Sequence, residues 1–207
     1  THRIAAETLA GLPKRRPKFV LTSIGRLVRQ KASLFFEQVG PGLSAIDQVL
    51  EQLGRQGVLI LIGIGEPEFE AQMLEAARRH RNLLFLCGYS ETLAEPLYRV
   101  GDLFLMPSSF EPCGISQMLA MRATQPCVVH GVGGLRDTVD DGHSGFVFDG
   151  DTPLQQARNF VATVDRALTL KAEDNDAWQK ICIRAASVRF SWDKSARATV
   201  EQLYGIA

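Results

Sequence analysis

The stretch Val58-Leu59-Ile60-Leu61-Ile62-Gly63-Ile64-Gly65-Glu66-Pro67 decides the fold. Its apolar run, with no polar interruption, reads as a strand covered on both faces. The glycines then turn the chain. Pro67 suits the first turn of a helix, where its missing N–H leaves no bond unmade. The spacing predicts a helix over 67–80, and a strand–turn–helix unit of this kind needs neighbours on both sides.

Working outward, the neighbours are present. Short apolar runs rich in β-branched or aromatic residues cover Phe19 to Ile24, Leu83 to Cys87, Leu103 to Met106, Cys127 to Val129 and Phe146 to Phe148. Between them, residues 43–55 carry Leu43, Ile46, Val49, Leu50 and Leu53 at helical spacing, and 91–100 and 115–123 read similarly. Strands alternating with helices imply an α/β fold, a Rossmann-like doubly wound parallel sheet. Ligands of such sheets bind beyond the carboxyl ends of the strands, so the loops that follow strands carry the interest. Residues 1–18, broken by Pro13 and Pro17 and holding the basic cluster Lys14-Arg15-Arg16, read as a connector. The Rossmann-like unit is expected over 19–190, with long helical patterns at about 153–170 and 174–189. A final helix over 191–207 opens at Ser191-Trp192-Asp193.

Composition narrows the function classes. The 207 residues hold 23 basic and 23 acidic side chains, so the formal charge is 23 − 23 = 0. That balance argues against nucleic acid or an anionic membrane as partner, and any phosphate site must be local. Cys87, Cys113, Cys127 and Cys182 are too widely spaced for a zinc site or a disulfide framework. No charged-then-apolar leader opens the chain and no apolar run reaches membrane-spanning length. A cytoplasmic protein, or a fragment of one, is the expectation.

Four loops follow strands. Gly63-Ile64-Gly65-Glu66-Pro67-Glu68 begins like a dinucleotide fingerprint, but Glu68 stands in the third glycine's place. The next strand ends at Cys87-Gly88 without a carboxylate for a ribose, which disfavours a nicotinamide-dependent oxidoreductase. Gly25-Arg26-Leu27-Val28-Arg29-Gln30-Lys31 offers Arg26 and Lys31, a planar fork and a mobile point charge suited to a diphosphate. In Pro107-Ser108-Ser109-Phe110-Glu111-Pro112-Cys113-Gly114, Pro112 keeps Glu111 extended, and Gly114 lets backbone approach as a helix opens. One carboxylate beside free amides suits a sugar. Gly131-Val132-Gly133-Gly134-Leu135-Arg136-Asp137-Thr138-Val139 exposes successive amides as an anion nest, without a Walker ending. Asp149-Gly150-Asp151 has the spelling of a metal-holding Asp-x-Asp, but Asp and Gly there serve a turn and a cap. Asp174-Asn175-Asp176 reads as a helix start for the same reason.

In order and together, these segments resemble the C-terminal domain of bacterial glycogen synthases and plant starch synthases. Gly25 to Lys31 is similar to that family's S-R-L-x-x-Q-K loop, and Leu61 to Pro67 to its L-x-G-x-G-[DE]-P. Pro107 to Gly114 and Gly133 to Val139 resemble P-S-x-F-E-P-C-G and G-G-L-x-D-T-V. Gly88-Tyr89 and Phe190-Ser191-Trp192 resemble its G-Y and F-S-W segments. Val132 stands where the family usually has Thr, and Ala32 where it commonly has Gly. Leu119, eight positions after Glu111, replaces the second glutamate of a wider group of retaining enzymes, in agreement with glycogen and starch synthases.

The resemblance implies the donor half of a two-Rossmann-domain (GT-B type) glucosyltransferase. It acts with retention, taking glucose from ADP-glucose or UDP-glucose to an α-glucan acceptor held through a missing N-terminal domain. It implies no metal or other cofactor. Arg26 and Lys31 neutralise the diphosphate, Glu111 takes a glucose hydroxyl, and these three are the catalytic candidates. Cys113 and Gly114 line the sugar pocket, Gly133, Gly134 and Leu135 offer amides to phosphate or sugar oxygens, and Tyr89 stacks on the base. The alternatives are a nucleotide-sugar-binding module without catalysis, against which the intact Arg26, Lys31 and Glu111 argue, and another retaining glycosyltransferase of the same architecture.

Overall fold

The structure is a computed structural model that describes residues 16–205. Residues 1–15 of the expected connector, with Lys14 and Arg15, lie outside the described residues, as do 206 and 207. Arg16, the remaining member of the basic cluster, bonds the carboxylate of Asp102 at 2.9 Å and the carbonyl of Val100 at 3.1 Å.

Six parallel strands form the main sheet: β1 (Phe19–Ile24), β4 (Gly57–Gly63), β5 (Leu83–Cys87), β6 (Leu103–Met106), β7 (Cys127–His130) and β8 (Phe146–Phe148). They lie in the order β5-β4-β1-β6-β7-β8. The chain builds one flank from β1 to β5, then returns to the other side of β1 with β6. The order therefore reverses between β1 and β6, where doubly wound folds open a crevice for ligands. Each expected apolar run is a strand, and each alternates its side chains between two cores. Leu83 and Phe85 point to one face, Leu84 and Leu86 to the other.

The first face is covered by α1 (Arg29–Phe36), α2 (Ala45–Leu53), α3 (Pro67–Arg79), α7 (Pro153–Glu173) and part of α8 (Asn175–Ser187). The second is covered by α4 (Glu91–Val100), α5 (Ser116–Arg122) and α6 (Gly133–Thr138). Pro67 opens α3 and Asp174 caps α8 by accepting from the Ala177 amide at 2.9 Å, as the sequence predicts.

Two elements differ from expectation. Arg29 to Phe36 is helix where a loop was expected up to Lys31, so Lys31 stands in a first helical turn. Residues 43 and 44 form a strand, β3 (Leu43–Ser44), paired antiparallel with β2 (Gln38–Gly40). The helix expected from 43 begins at Ala45, because the Ser44 and Asp47 side chains each bond the other's backbone amide in a capping box. The last segment is a helix, α9 (Trp192–Thr199), continued by a π-helical turn (Val200–Tyr204). Trp192, Leu203 and Tyr204 are 88%, 77% and 71% exposed on it. Among the described residues, no helix is long and apolar enough to cross a membrane.

Candidate functional site

At the switch point, the loop after β1 lies against the loop after β4. Backbone bonds run from the Gly25 amide to the Ile62 carbonyl, from Leu27 to Ile64 and from Glu66 to Leu27. A Cβ on Gly65 would sit 2.2 Å from the Leu27 carbonyl oxygen, and one on Gly63 would sit 2.6 Å from that of Gly25. These glycines permit close approach of two loops, which accounts for the half-fingerprint without a dinucleotide. Fixed in this way, the β1 loop presents Arg26.

Beyond the strand ends opens a cleft of about 640 Å³. Arg26, Lys31 and Tyr89 line it, with Gly25, Gly63, Ser108 and Tyr98 among the other wall residues. Tyr89 is 65% exposed and follows Gly88, whose φ of +145° only glycine adopts readily. Of the expected site residues, Cys113, Gly114, Gly133, Gly134 and Leu135 do not line this cleft, and Glu111 meets it through two intermediaries. One Glu111 oxygen, Oε2, touches the Lys31 ammonium and accepts from the Ser108 hydroxyl at 3.4 Å. Oε1 makes no hydrogen bond among the described residues. The carboxylate is thus engaged there through one oxygen.

Burial lowers the pKa of Lys31, and the positive charge of Arg26 nearby acts in the same direction. Arg26 and Lys31 bring two cations to one part of a cleft whose walls also carry Glu91 and Glu95. Two cations close together suit a diphosphate.

The loop bearing Glu111 is stapled from two sides. Gln30, the neighbour of Lys31, accepts at its carbonyl from the Ser109 amide (2.8 Å) and donates from Nε2 to the Phe110 carbonyl (2.8 Å). On the other side the Gly134 amide donates to the Glu111 carbonyl at 3.0 Å. The Leu135 amide donates to Val132 at 3.1 Å, and Leu135 is fully buried. The expected anion nest is therefore corrected: the amides of Gly134 and Leu135 are consumed within the protein. A Cβ on Gly133, whose φ is +46°, would sit 2.1 Å from the Glu111 carbonyl oxygen. One on Gly134 would sit 2.4 Å from that of Cys113. The glycine run lets two loops touch, which is a packing reason for the same residues. Cys113 is exposed, and Gly114 has φ +78°.

Gln30, Ser108, Gln117 and His130 were not singled out from sequence, yet all hold this loop. Gln117 is fully buried and donates to the carbonyls of Cys113 and Gly114, each at 3.1 Å. His130 ends β7 and reaches the Ser108 carbonyl at 2.9 Å. The one signal for Gln30 was its place inside the recognised loop.

Among the described residues, no group of three or more His, Cys, Asp or Glu could hold a metal ion. Asp149, the first acid of Asp-Gly-Asp, accepts instead from Arg136 at 3.0 Å, and the Asp151 amide donates to Gln155 at 3.0 Å.

Comparison with known proteins agrees with this geometry. Residues 18–168 match the family described as glycosyl transferases group 1. A glycogen synthase of Anaeromyxobacter sp. (strain Fw109-5) is 40% identical over 201 residues, covering 94% of this chain and 39% of the relative. One from Streptococcus sanguinis (strain SK36) is 36% identical, covering 94% of this chain and 40% of the relative. The chain thus spans about two fifths of the length of the relatives it matches. The catalytic domain of Arabidopsis thaliana starch synthase IV, bound to ADP and acarbose, superposes with a TM-score of 0.77 at 29% identity. That match covers 97% of this chain and 41% of the other. The Anabaena protein HepE, solved with UDP-glucose, shares the fold at a TM-score of 0.63 and 20% identity, covering 97% of this chain and 51% of its own. The chain belongs to the glycosyl transferases group 1 family, as a glycosyltransferase domain like those of glycogen and starch synthases.

Proposed function

We propose that this chain is the donor-binding domain of a retaining glucosyltransferase, moving glucose from ADP-glucose or UDP-glucose to the non-reducing end of an α-1,4-glucan. The observation that carries the reading is the Lys31–Glu111 contact at the rim of the cleft that Arg26 and Tyr89 also line. A sugar-binding acid and a phosphate-binding cation stand within one side chain's reach. The ADP in the starch synthase structure favours ADP-glucose as donor.

In this reading the diphosphate lies against Arg26 and Lys31, the base against Tyr89, and a glucose hydroxyl against Glu111. As the bond from the anomeric carbon to the phosphate oxygen breaks, negative charge grows on the leaving diphosphate. Two fixed cations oppose that charge without reorganising. Losing one such contact costs about 10²-fold in rate or more. No metal or other cofactor is required, because Arg26 and Lys31 already supply the counter-charge. Glu111 acts by hydrogen bonding, and no covalent glycosyl-enzyme is proposed. Gly133 supplies the one amide of the glycine run free of a bond among the described residues, while Cys113 and Gly114 shape the sugar end.

The acceptor site belongs to a second Rossmann-like domain outside this chain, and α9 with the turn that follows it packs on that domain. The exposed Trp192, Leu203 and Tyr204 support this division. Calorimetric titration with ADP-glucose and UDP-glucose tests the donor reading. At least one must bind, and Arg26→Ala must weaken both by about tenfold, since it removes a phosphate contact common to them. Loss of one donor alone would reassign Arg26 to the base. With radiolabelled donor and glycogen, the 207-residue chain alone is expected to incorporate no label. Robust incorporation overturns the division of labour.

A further inference from the structure

We propose that His130 is a positioning residue for Glu111, fixed in the tautomer that carries its proton on Nδ1. The inference rests on the donor-site reading above and adds to it a residue that the cleft does not expose.

His130 is 1% exposed. Its Nδ1 lies 2.9 Å from the carbonyl oxygen of Ser108. A carbonyl can only accept, so Nδ1 carries the proton and donates. Ser108 is itself 1% exposed, and its hydroxyl donates to Glu111 Oε2. A continuous chain therefore runs from the imidazole through one residue to the carboxylate.

The ring cannot easily turn away from this bond. His130 pairs in register with Phe148 on the next strand, and the two rings stack at 5.0 Å with 4° between their planes. Nε2 is buried with no hydrogen-bond partner among the described residues. The carboxylate of Asp149, held by Arg136, stands 3.7 Å from it, beyond hydrogen-bond distance. A buried nitrogen without a partner disfavours the fold unless the other nitrogen's role offsets it. An apolar residue would fill this place at the end of β7 more cheaply if packing were its only duty. Holding the Ser108 carbonyl is the duty the geometry assigns.

The two ring nitrogens can be tested apart. Asn places an amide N–H where Nδ1 is, and Gln places one where Nε2 is. The full chain carrying His130→Asn or His130→Gln is titrated with the nucleotide sugar that the wild type binds, and with the matching free nucleoside diphosphate. His130→Gln is expected to weaken the nucleotide sugar about tenfold while the diphosphate changes by less than about twofold, because only the sugar end depends on Glu111. His130→Asn is expected to restore sugar binding to within about threefold of wild type. Equal loss in Asn and Gln, or parallel loss of both ligands, overturns the inference and leaves the donor site standing. A wild-type chain that binds neither ligand overturns the donor reading and this inference with it.

Discussion

Asp47 and Glu111 are the two acids most fully withdrawn from solvent among the described residues, 4% and 5% exposed, yet their surroundings differ. Asp47 sits where α2 begins, against the end of α3, and both its oxygens are satisfied. Oδ1 meets Arg79 Nη2 and His80 Nε2, each at 2.8 Å, while Oδ2 accepts from the Ser44 hydroxyl at 2.5 Å and the Ser44 amide at 3.2 Å. Glu111 engages one oxygen and leaves the other open. A carboxylate that closes every bond within the fold is a fastener. One that leaves an oxygen unbonded among the described residues, beside a cation that lines the cleft, is equipped to take something else.

The sharpest way to break the comparison is to remove each acid in turn. Asp47→Ala strands Arg79, His80 and Ser44 around a lost partner and is expected to destabilise the chain by about 3 kcal/mol, with donor affinity unchanged. Glu111→Ala is expected to weaken the nucleotide sugar about tenfold while the free diphosphate, whose Lys31 loses an opposing charge, binds at least as tightly as to wild type, and to lose less stability than Asp47→Ala does. Chemical denaturation and calorimetry on both variants check this. If Asp47→Ala loses the donor, or Glu111→Ala mainly loses stability, the distinction between fastener and ligand is gone.

A smaller effect is expected in acid. Burial pushes the Asp47 carboxyl up, but the bonds from Ser44, Arg79 and His80 outweigh it and hold the group below its ordinary 3.8. A carboxyl lowered in the fold contributes stability that is present above 3.8 and lost as pH falls through its folded value. The wild type is therefore expected to lose stability more steeply below that point than Asp47→Ala does. Parallel acid limbs in the two proteins would show that Asp47 is not the group titrating.

Much of this arrangement was legible in the sequence, and the exceptions have physical causes. All six strands of the main sheet were readable because buried parallel strands are nearly uninterrupted apolar runs. The start of α1 was not, since Arg29-Gln30-Lys31 gives no apolar period of its own. Leu43 lies three residues before Ile46 and so imitates a helical face, although it belongs to the hairpin. Ser44 followed by Asp47 carried the better signal, that of a capping box. Arg26, Lys31 and Glu111 were singled out because charged residues in loops after strands invite a ligand, and Tyr89 through the resemblance; the structure brings Arg26, Lys31 and Tyr89 to one cleft and Glu111 against Lys31. Ser108, Gln117 and His130 were missed because a polar residue buried under a loop reads in sequence like an exposed one. Ser108 bonds the Glu111 carboxylate and Gln117 the Cys113 and Gly114 carbonyls within a few residues of themselves, while His130 reaches the Ser108 carbonyl from the end of β7. The glycine run was found, but the amide chemistry assigned to it was overstated. Sequence shows where backbone can come close and not what it comes close to.

The smallest expected effect concerns Val132, where the resemblance leads one to expect Thr. Val132 is the residue before α6, extended at φ −122° and ψ 141°, and makes no side-chain cap. Thr keeps its branched shape and adds a hydroxyl, but the Gly134 and Leu135 amides that a cap would engage already donate to the carbonyls of Glu111 and Val132. Val132→Thr is therefore expected to move the melting midpoint by less than about 2 °C and donor affinity by less than about threefold. A clear loss of affinity would show the new hydroxyl drawing the Gly134 amide away from the Glu111 carbonyl, and α6 would then be a main support of Glu111.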